Sequence, residues 1–218
     1  MLFQRCKVLL VQLCLFFFIV TLCITVTINF HPLYWYFVKH YDLAQSVGVT
    51  TLQLKTDYLK LLAYLNYPWV TDLKMSIPVS YNGMRHFEDV KRLFLVNYLV
   101  LLVTAFPAIS YFLKLWRRRE FWKLQNKIYG IAVVLFCLGC FMLLDFQRFF
   151  VYFHRILFNN NNWIFDPNLD PVINALPSTY FLACFGLFLS LFAGSLGAIF
   201  WLGKRQAKII NKKDDLVS

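Results

Sequence analysis

Charge is the scarcest resource in this chain. Only 15% of its 218 residues are Asp, Glu, Lys or Arg, and just 11 are acidic. A soluble domain of this length carries about 25% charged residues, so the deficit points to lipid as the solvent. Familiar chemical motifs are missing too. There is no Gly-rich phosphate loop, no HExxH, no GxSxG elbow and no cluster of acidic metal ligands. Nucleotide, metal and serine-hydrolase chemistry therefore have no motif to rest on. No internal repeat or second domain is visible, and the only biased tract is Asn159-Asn160-Asn161-Asn162. The six cysteines all fall in or beside apolar runs, which argues against a disulfide framework and for packing roles. Cys137-Leu138-Gly139-Cys140 has CxxC spacing, but it lies mid-span with no second pair and no nearby histidine, so zinc is rejected. A quinone-linked thiol oxidoreductase is the weaker reading of that pair, since its CxxC belongs near an outer helix end.

What remains is apolar and basic: 60% hydrophobic, 19% aromatic, net charge +11. Nucleic acid is a poor partner for so apolar a chain. The basic residues read as topology signals and contacts to anionic lipid. Four segments are long enough to cross about 30 Å of hydrocarbon, at about 8–30, 93–113, 128–152 and 176–203. The first, Val8 to Phe30, has no small-residue cleavage site and reads as a retained span rather than a signal peptide. Pro107 is expected to kink the second. Thirteen of the 22 basic residues fall in the head, in the 114–127 connection and in the basic-then-acidic tail. With four spans these share one side, and the positive-inside rule makes it the cytoplasm. Both termini are then cytoplasmic, and 31–92 and 153–175 are outside. The fold expected is an all-α, four-helix membrane bundle in a single domain, with an extracellular subdomain between the first two spans.

Within that subdomain, Leu54, Tyr58, Leu61, Leu62 and Leu65 recur at helical spacing while Gln53, Lys55, Asp57 and Lys60 face elsewhere. Such a helix either lies flat on the outer leaflet or packs on the bundle mouth. Leu73, Met75, Ile77 and Val79 then alternate with polar or small residues, a strand-like pattern ending in an expected turn at Tyr81-Asn82-Gly83.

Of four histidines, His31 and His40 sit among interfacial aromatics. His86 and His154 instead lie where an outer loop meets a span, each beside an arginine. Asp89 follows His86 at i+3 and Arg85 at i+4, so all three share a helix face and the carboxylate is placed to orient the imidazole. Asp145 and Arg148, near the outer end of the third span, read either as a structural ion pair or as one wall of a headgroup cavity. Tyr152 is placed to donate a hydrogen bond there or to serve in the aromatic belt. Trp163, Asp166 and Pro167 would cap that cavity.

Taken together, His86-Phe87-Glu88-Asp89-Val90 and Phe153-His154, with Phe158, Trp163, Asp166-Pro167, Asp170, Ile173 and Pro177, resemble the lipoprotein intramolecular transacylases of Gram-positive bacteria. The resemblance covers nearly the whole chain. It implies a diacylglyceryl lipoprotein as substrate and membrane lipid as surroundings. It also implies transfer of the sn-2 acyl chain to the α-amine of the N-terminal cysteine, giving a lyso-form lipoprotein. No cofactor or metal is called for, because ester to amide runs downhill. An imidazole with a pKa near 6.5 can move the proton of an α-amine whose pKa is about 7.7–8.0. His86 and His154 would be the base and acid, with Arg85, Arg155 or Arg148 beside the oxyanion. Two other readings stay open: a non-enzymatic accessory or transport subunit, and an acyltransferase that draws on phospholipid. Oligomeric state is open, a monomer being sufficient.

Overall fold

The computed structural model describes residues 2–214, with side chains from 3 to 209. The side chains of Lys212 and Lys213 and the last residues of the tail lie outside that description. Nine α-helices are present among the described residues: α1 (Leu2–Ile28), α2 (His31–His40), α3 (Leu43–Ser46), α4 (Thr51–Asn66), α5 (Tyr81–Arg118), α6 (Gln125–Leu144), α7 (Phe146–Leu157), α8 (Val172–Ala175) and α9 (Ser178–Asp214). A 3₁₀ turn, Phe121–Leu124, precedes α6. Among the described residues, four helical stretches are long and apolar enough to cross a membrane: Phe3–His40, Tyr81–Arg118, Phe121–Leu144 and Ser178–Ile209.

α5 carries Pro107 inside it; the one backbone bond lost there does not end a helix of 38 residues. One helix differs from expectation. The third span is not one helix to residue 152. It stops at Leu144, and Asp145 (φ −151°, ψ 82°) starts α7 as its N-cap, accepting from the Arg148 N–H at 3.0 Å.

The chain divides into two compact units. The first takes residues up to 24, 99–141 and from 187 on. Leu15, Ala108, Leu115, Phe121, Phe192, Leu196 and Ile199 form its core. α5 ends there with Arg119 in the left-handed region (φ 56°) and with Glu120 N–H bonded to the Leu115 carbonyl at 2.9 Å, a Schellman closure that satisfies an end carbonyl. Gly203 of α9 lets the backbone of Phe121 approach: a Cβ there would lie 3.1 Å from it.

The second unit takes 25–98 and 142–186 and holds both singled-out histidines. Pro32 starts α2, and a Thr50/Gln53 capping box starts α4. Tyr34, Phe37, Leu54, Tyr58, Leu61, Leu65, Phe87, Val172 and Tyr180 share one core. α4 therefore packs rather than lying free. Its polar face is narrower than the spacing implied, since Asp57 is completely buried between Leu54 and Leu61.

That burial explains the segment 71–80. It pairs with no strand, and no strand forms among the described residues. Instead the Ser76 and Ile77 N–H groups donate to Asp57 Oδ2 at 2.7 and 3.1 Å. The alternation survives as burial, with Ile77 only 2% exposed while Lys74, Ser76 and Pro78 face out. A second polar group binds α1, α4 and α5: Asn29 donates to the Tyr98 hydroxyl (3.0 Å), Tyr98 to Asn66 Oδ1 (2.6 Å) and Asn66 to Asn29 Oδ1 (3.2 Å). This closed ring leaves none of its members wanting a partner, which apolar surroundings demand.

Candidate active site

The expected turn at Tyr81 is the first turn of α5. Ser80 caps it: its hydroxyl accepts from the Gly83 N–H at 3.1 Å, and its carbonyl accepts from Met84 N–H at 2.9 Å. Ser80, Gly83, His86 and Asp89, three residues apart, form a stripe that winds about α5, each about 60° round from the last. The opposite histidine comes from α7, whose Phe146, Phe149, Phe150 and Phe153 make an aromatic face against Phe181 and Phe185. His154 sits in the last turn of α7, which Phe158 closes by donating its N–H to the His154 carbonyl at 2.8 Å.

The two imidazoles meet, with centroids 5.8 Å apart and residue exposures of 8% and 7%. Aromatic rings wall them in. Phe158 lies 5.0 Å from His86 and 5.7 Å from His154. Phe165 covers His86 at 5.5 Å, while Trp163 and Phe150 cover His154 at 5.0 and 4.2 Å. His154 Nδ1 is 2.8 Å from the Phe150 carbonyl. A carbonyl only accepts, so Nδ1 carries the proton and Nε2 keeps its lone pair. Desolvation pushes the His154 pKa below its ordinary value, outweighing the upward pull of that carbonyl. His86 Nδ1 is buried without a hydrogen-bond partner.

The loop from 158 to 170 runs down the α5 stripe. Asn160 donates to Asp89 Oδ2 at 2.9 Å; Phe158 and Phe165 flank His86; Asp170, 3% exposed, accepts from the Ser80 N–H at 2.6 Å and hydroxyl at 2.8 Å. Trp163 donates Nε1–H to the Asn160 carbonyl at 2.9 Å, which holds its ring over His154.

Several residues expected at the site lie elsewhere. The Asp89 carboxylate is held by Arg92 at 3.3 Å and by Asn160; it ties down the loop and does not orient the imidazole through a bond to Nδ1. Arg85 pairs with Glu88 at 2.7 Å on the exposed side of α5, not with Asp89. Asp145 and Arg148 form a helix cap with an exposed ion pair at 3.0 Å, Arg148 being 77% exposed, so they wall no cavity. Arg155 is exposed. Tyr152, two residues before His154, projects from another side of α7 and is 53% exposed. Asp166 is exposed and shapes a turn, accepting from the Asn168 backbone at 2.9 Å. Among the described residues, no three His, Cys, Asp or Glu side chains gather as a metal site would require.

The sequence reading gave no site role to Ser80, Gly83, Phe150, Asn160 or Phe165. Their signal was present in part: Gly83 stands one helical turn before His86, and the phenylalanines of α7 recur at helical spacing around His154.

Comparison with known proteins bears on this arrangement. The family model described as lipoprotein intramolecular transacylase Lit matches residues 9–181. Among solved structures, the membrane-integral Lit of Bacillus cereus superposes with a TM-score of 0.82 at 23% identity, covering 96% of this chain and 98% of that one. Two variants of the same protein, with a histidine replaced by arginine or by alanine, superpose with TM-scores of 0.77 at 24% identity. They cover 97% and 96% of this chain, and 95% and 96% of theirs. At this identity the likeness carries the fold; the family rests on the sequence model. No curated protein matches the chain. With most of its length under that model and a membrane-integral helical fold to go with it, the chain belongs to the Lit family of lipoprotein intramolecular transacylases, which are acyltransferases.

Proposed function

We propose that the protein moves the sn-2 acyl chain of a diacylglyceryl lipoprotein onto the α-amine of its N-terminal cysteine, using His86 and His154 as one proton-transfer unit. The observation that carries this reading is the pair itself: two buried imidazoles from distant stretches, 5.8 Å apart, in an aromatic enclosure. The amine, once neutral, attacks the ester carbonyl and the C–N bond forms. His154 Nε2, left as the lone-pair nitrogen by the Phe150 carbonyl, takes a proton from that nitrogen. His86 relays it to the glycerol oxygen as the C–O bond breaks, leaving an amide, an alcohol and two neutral rings. The imidazolium formed midway faces the developing oxyanion; Arg85, Arg148 and Arg155, expected beside it, are exposed, and the first two pair with Glu88 and Asp145. Because amine and ester belong to one molecule, holding them together supplies much of the acceleration.

Arg5, Lys7 and the six basic residues from Lys114 to Lys127 support the orientation in which 31–92 and 153–175 face outward. The site then opens on the outer leaflet of the cytoplasmic membrane, where lipoproteins carry their lipid. The test is a purified preparation incubated with a defined diacylated lipopeptide, with tandem mass spectrometry placing each chain. H86Q and H154Q should each lower the rate by about 10²–10⁴-fold, the range of acid–base catalysis. Full lyso-form production by both would remove the histidines from the mechanism. Label arriving from added phospholipid would replace the intramolecular route with a phospholipid donor.

A further inference from the structure

We propose that Asp170 is a positioning residue for this reaction: its carboxylate, lodged against Ser80 and Gly83, sets the register of the 158–170 loop on α5 and so holds His86 opposite His154. The proposal rests on the assignment of the two histidines. Asp170 lies sixteen residues beyond His154 and contacts neither ring, yet it is one of the most buried charged groups in its unit, at 3% exposure. Both its oxygens are committed to one residue, Oδ1 to the Ser80 N–H (2.6 Å) and Oδ2 to the Ser80 hydroxyl (2.8 Å). That hydroxyl in turn accepts from the Gly83 N–H at 3.1 Å. The carboxylate thus completes the cap of α5 through a relay, at the helix end whose dipole favours an anion.

The fit depends on a missing side chain. A Cβ on Gly83 would stand 2.5 Å from Asp170 Oδ1 and 2.8 Å from Val79 Cγ1, distances real Cβ atoms do not adopt. Only glycine lets the loop come this close one turn before His86. The far end of the loop is held less firmly, by the exposed Asn160–Asp89 bond at 2.9 Å. Phe165 lies between these ends and Phe158 just before Asn160, and both rings touch His86. A shift at Asp170 therefore reaches the imidazole through two rigid rings and a helix turn, and a 1 Å misplacement can cost about 10²-fold in rate.

The experiment compares Asp170→Asn, Gly83→Ala and their double variant with the exposed control Asp72→Asn, in the full-length protein in detergent. Asparagine preserves the shape and removes the charge; the alanine methyl displaces the carboxylate. Each should lower kcat by about 10- to 100-fold with KM on the diacylated lipopeptide changed less than about threefold. The double variant should be no worse than the poorer single, because both act on one contact. The acid limb of the pH–rate profile should move up as the rings gain water, and the ¹³Cε1 resonances of His86 and His154 should shift without substrate. Ser80→Ala removes the Oδ2 bond and the Gly83 cap but keeps the Ser80 N–H bond to Oδ1, and supplies a second variant should Asp170→Asn fail to fold, with a loss in kcat of at least about threefold expected. Wild-type kcat, pH limb and resonances alongside a lowered unfolding temperature would leave Asp170 merely structural and overturn the proposal; so would losses that multiply in the double variant. An inactive wild type with shifted resonances in Asp170→Asn would sink the transacylase reading while leaving the register contact intact.

Discussion

Replacing Asp57 with alanine should be among the most damaging single changes in the second unit. The carboxylate is completely buried, and two backbone N–H groups of the segment 71–80 depend on it. Hydrogen bonds to a charged group contribute about 1.5–3 kcal/mol each. In Asp57→Ala the Ser76 N–H, on an exposed residue, can turn to water. The Ile77 N–H, on a residue 2% exposed, cannot, and an orphaned buried donor costs about 1–3 kcal/mol. Removing the charge also relieves its own desolvation, which offsets part of the loss. Lys60, 3.6 Å away and half exposed, adds under about 1 kcal/mol. The net expected destabilisation is about 2–4 kcal/mol. Asp57→Asn keeps one acceptor oxygen and should lose about half as much. Because the segment leads directly into Ser80, its release should also loosen the α5 cap and slow acyl transfer. Thermal unfolding in detergent, with limited proteolysis of 71–80, checks this. An alanine variant that melts with the wild type and resists cleavage there would refute the assignment of Asp57 as the anchor.

His154 should govern the low-pH side of the rate. Its pKa is pushed below 6.5 by burial, so the native protein holds it neutral while the unfolded chain protonates it first. The ring's share of stability should be complete above about pH 6.5 and fall as pH drops below it, while the rate should hold to a lower pH, where the native ring itself protonates; kcat profiles and acid unfolding of H154Q, which should lack that limb, measure it. Tyr98→Phe breaks the Asn29–Asn66–Tyr98 ring and should destabilise by about 0.6–2 kcal/mol, read by unfolding in detergent. Asn160→Ala frees the loop tip and the Trp163 ring with it; it should raise KM and kcat loss together by about threefold to tenfold, since the bond is exposed. Asp145→Ala removes the α7 cap and should lower stability by about 0.5–2 kcal/mol.

Much of this protein was written locally. A run of apolar residues long enough to cross hydrocarbon is a property of the run itself, and four were legible without any fold. So were the two histidines, because each stands where a polar loop joins such a run. What no local pattern could decide was which neighbour answers each polar group. Asp57 occupies a helical position that looks solvent-facing from its own element; only the packing of the 71–80 segment against α4 makes it a buried acceptor. Asp89 has the spacing to serve His86, yet a residue 71 positions later claims it. The break at Asp145 was hidden because hydropathy measures length, while a helix ends where a side chain offers its backbone N–H a better partner. Gly83 stood in an expected turn and Asp170 among the residues of the family resemblance, but nothing local joined the two, and their meaning is the contact between them. Burial and length are summed along a sequence; hydrogen bonds across a unit are pairings between distant residues, and those exist only once the chain has folded.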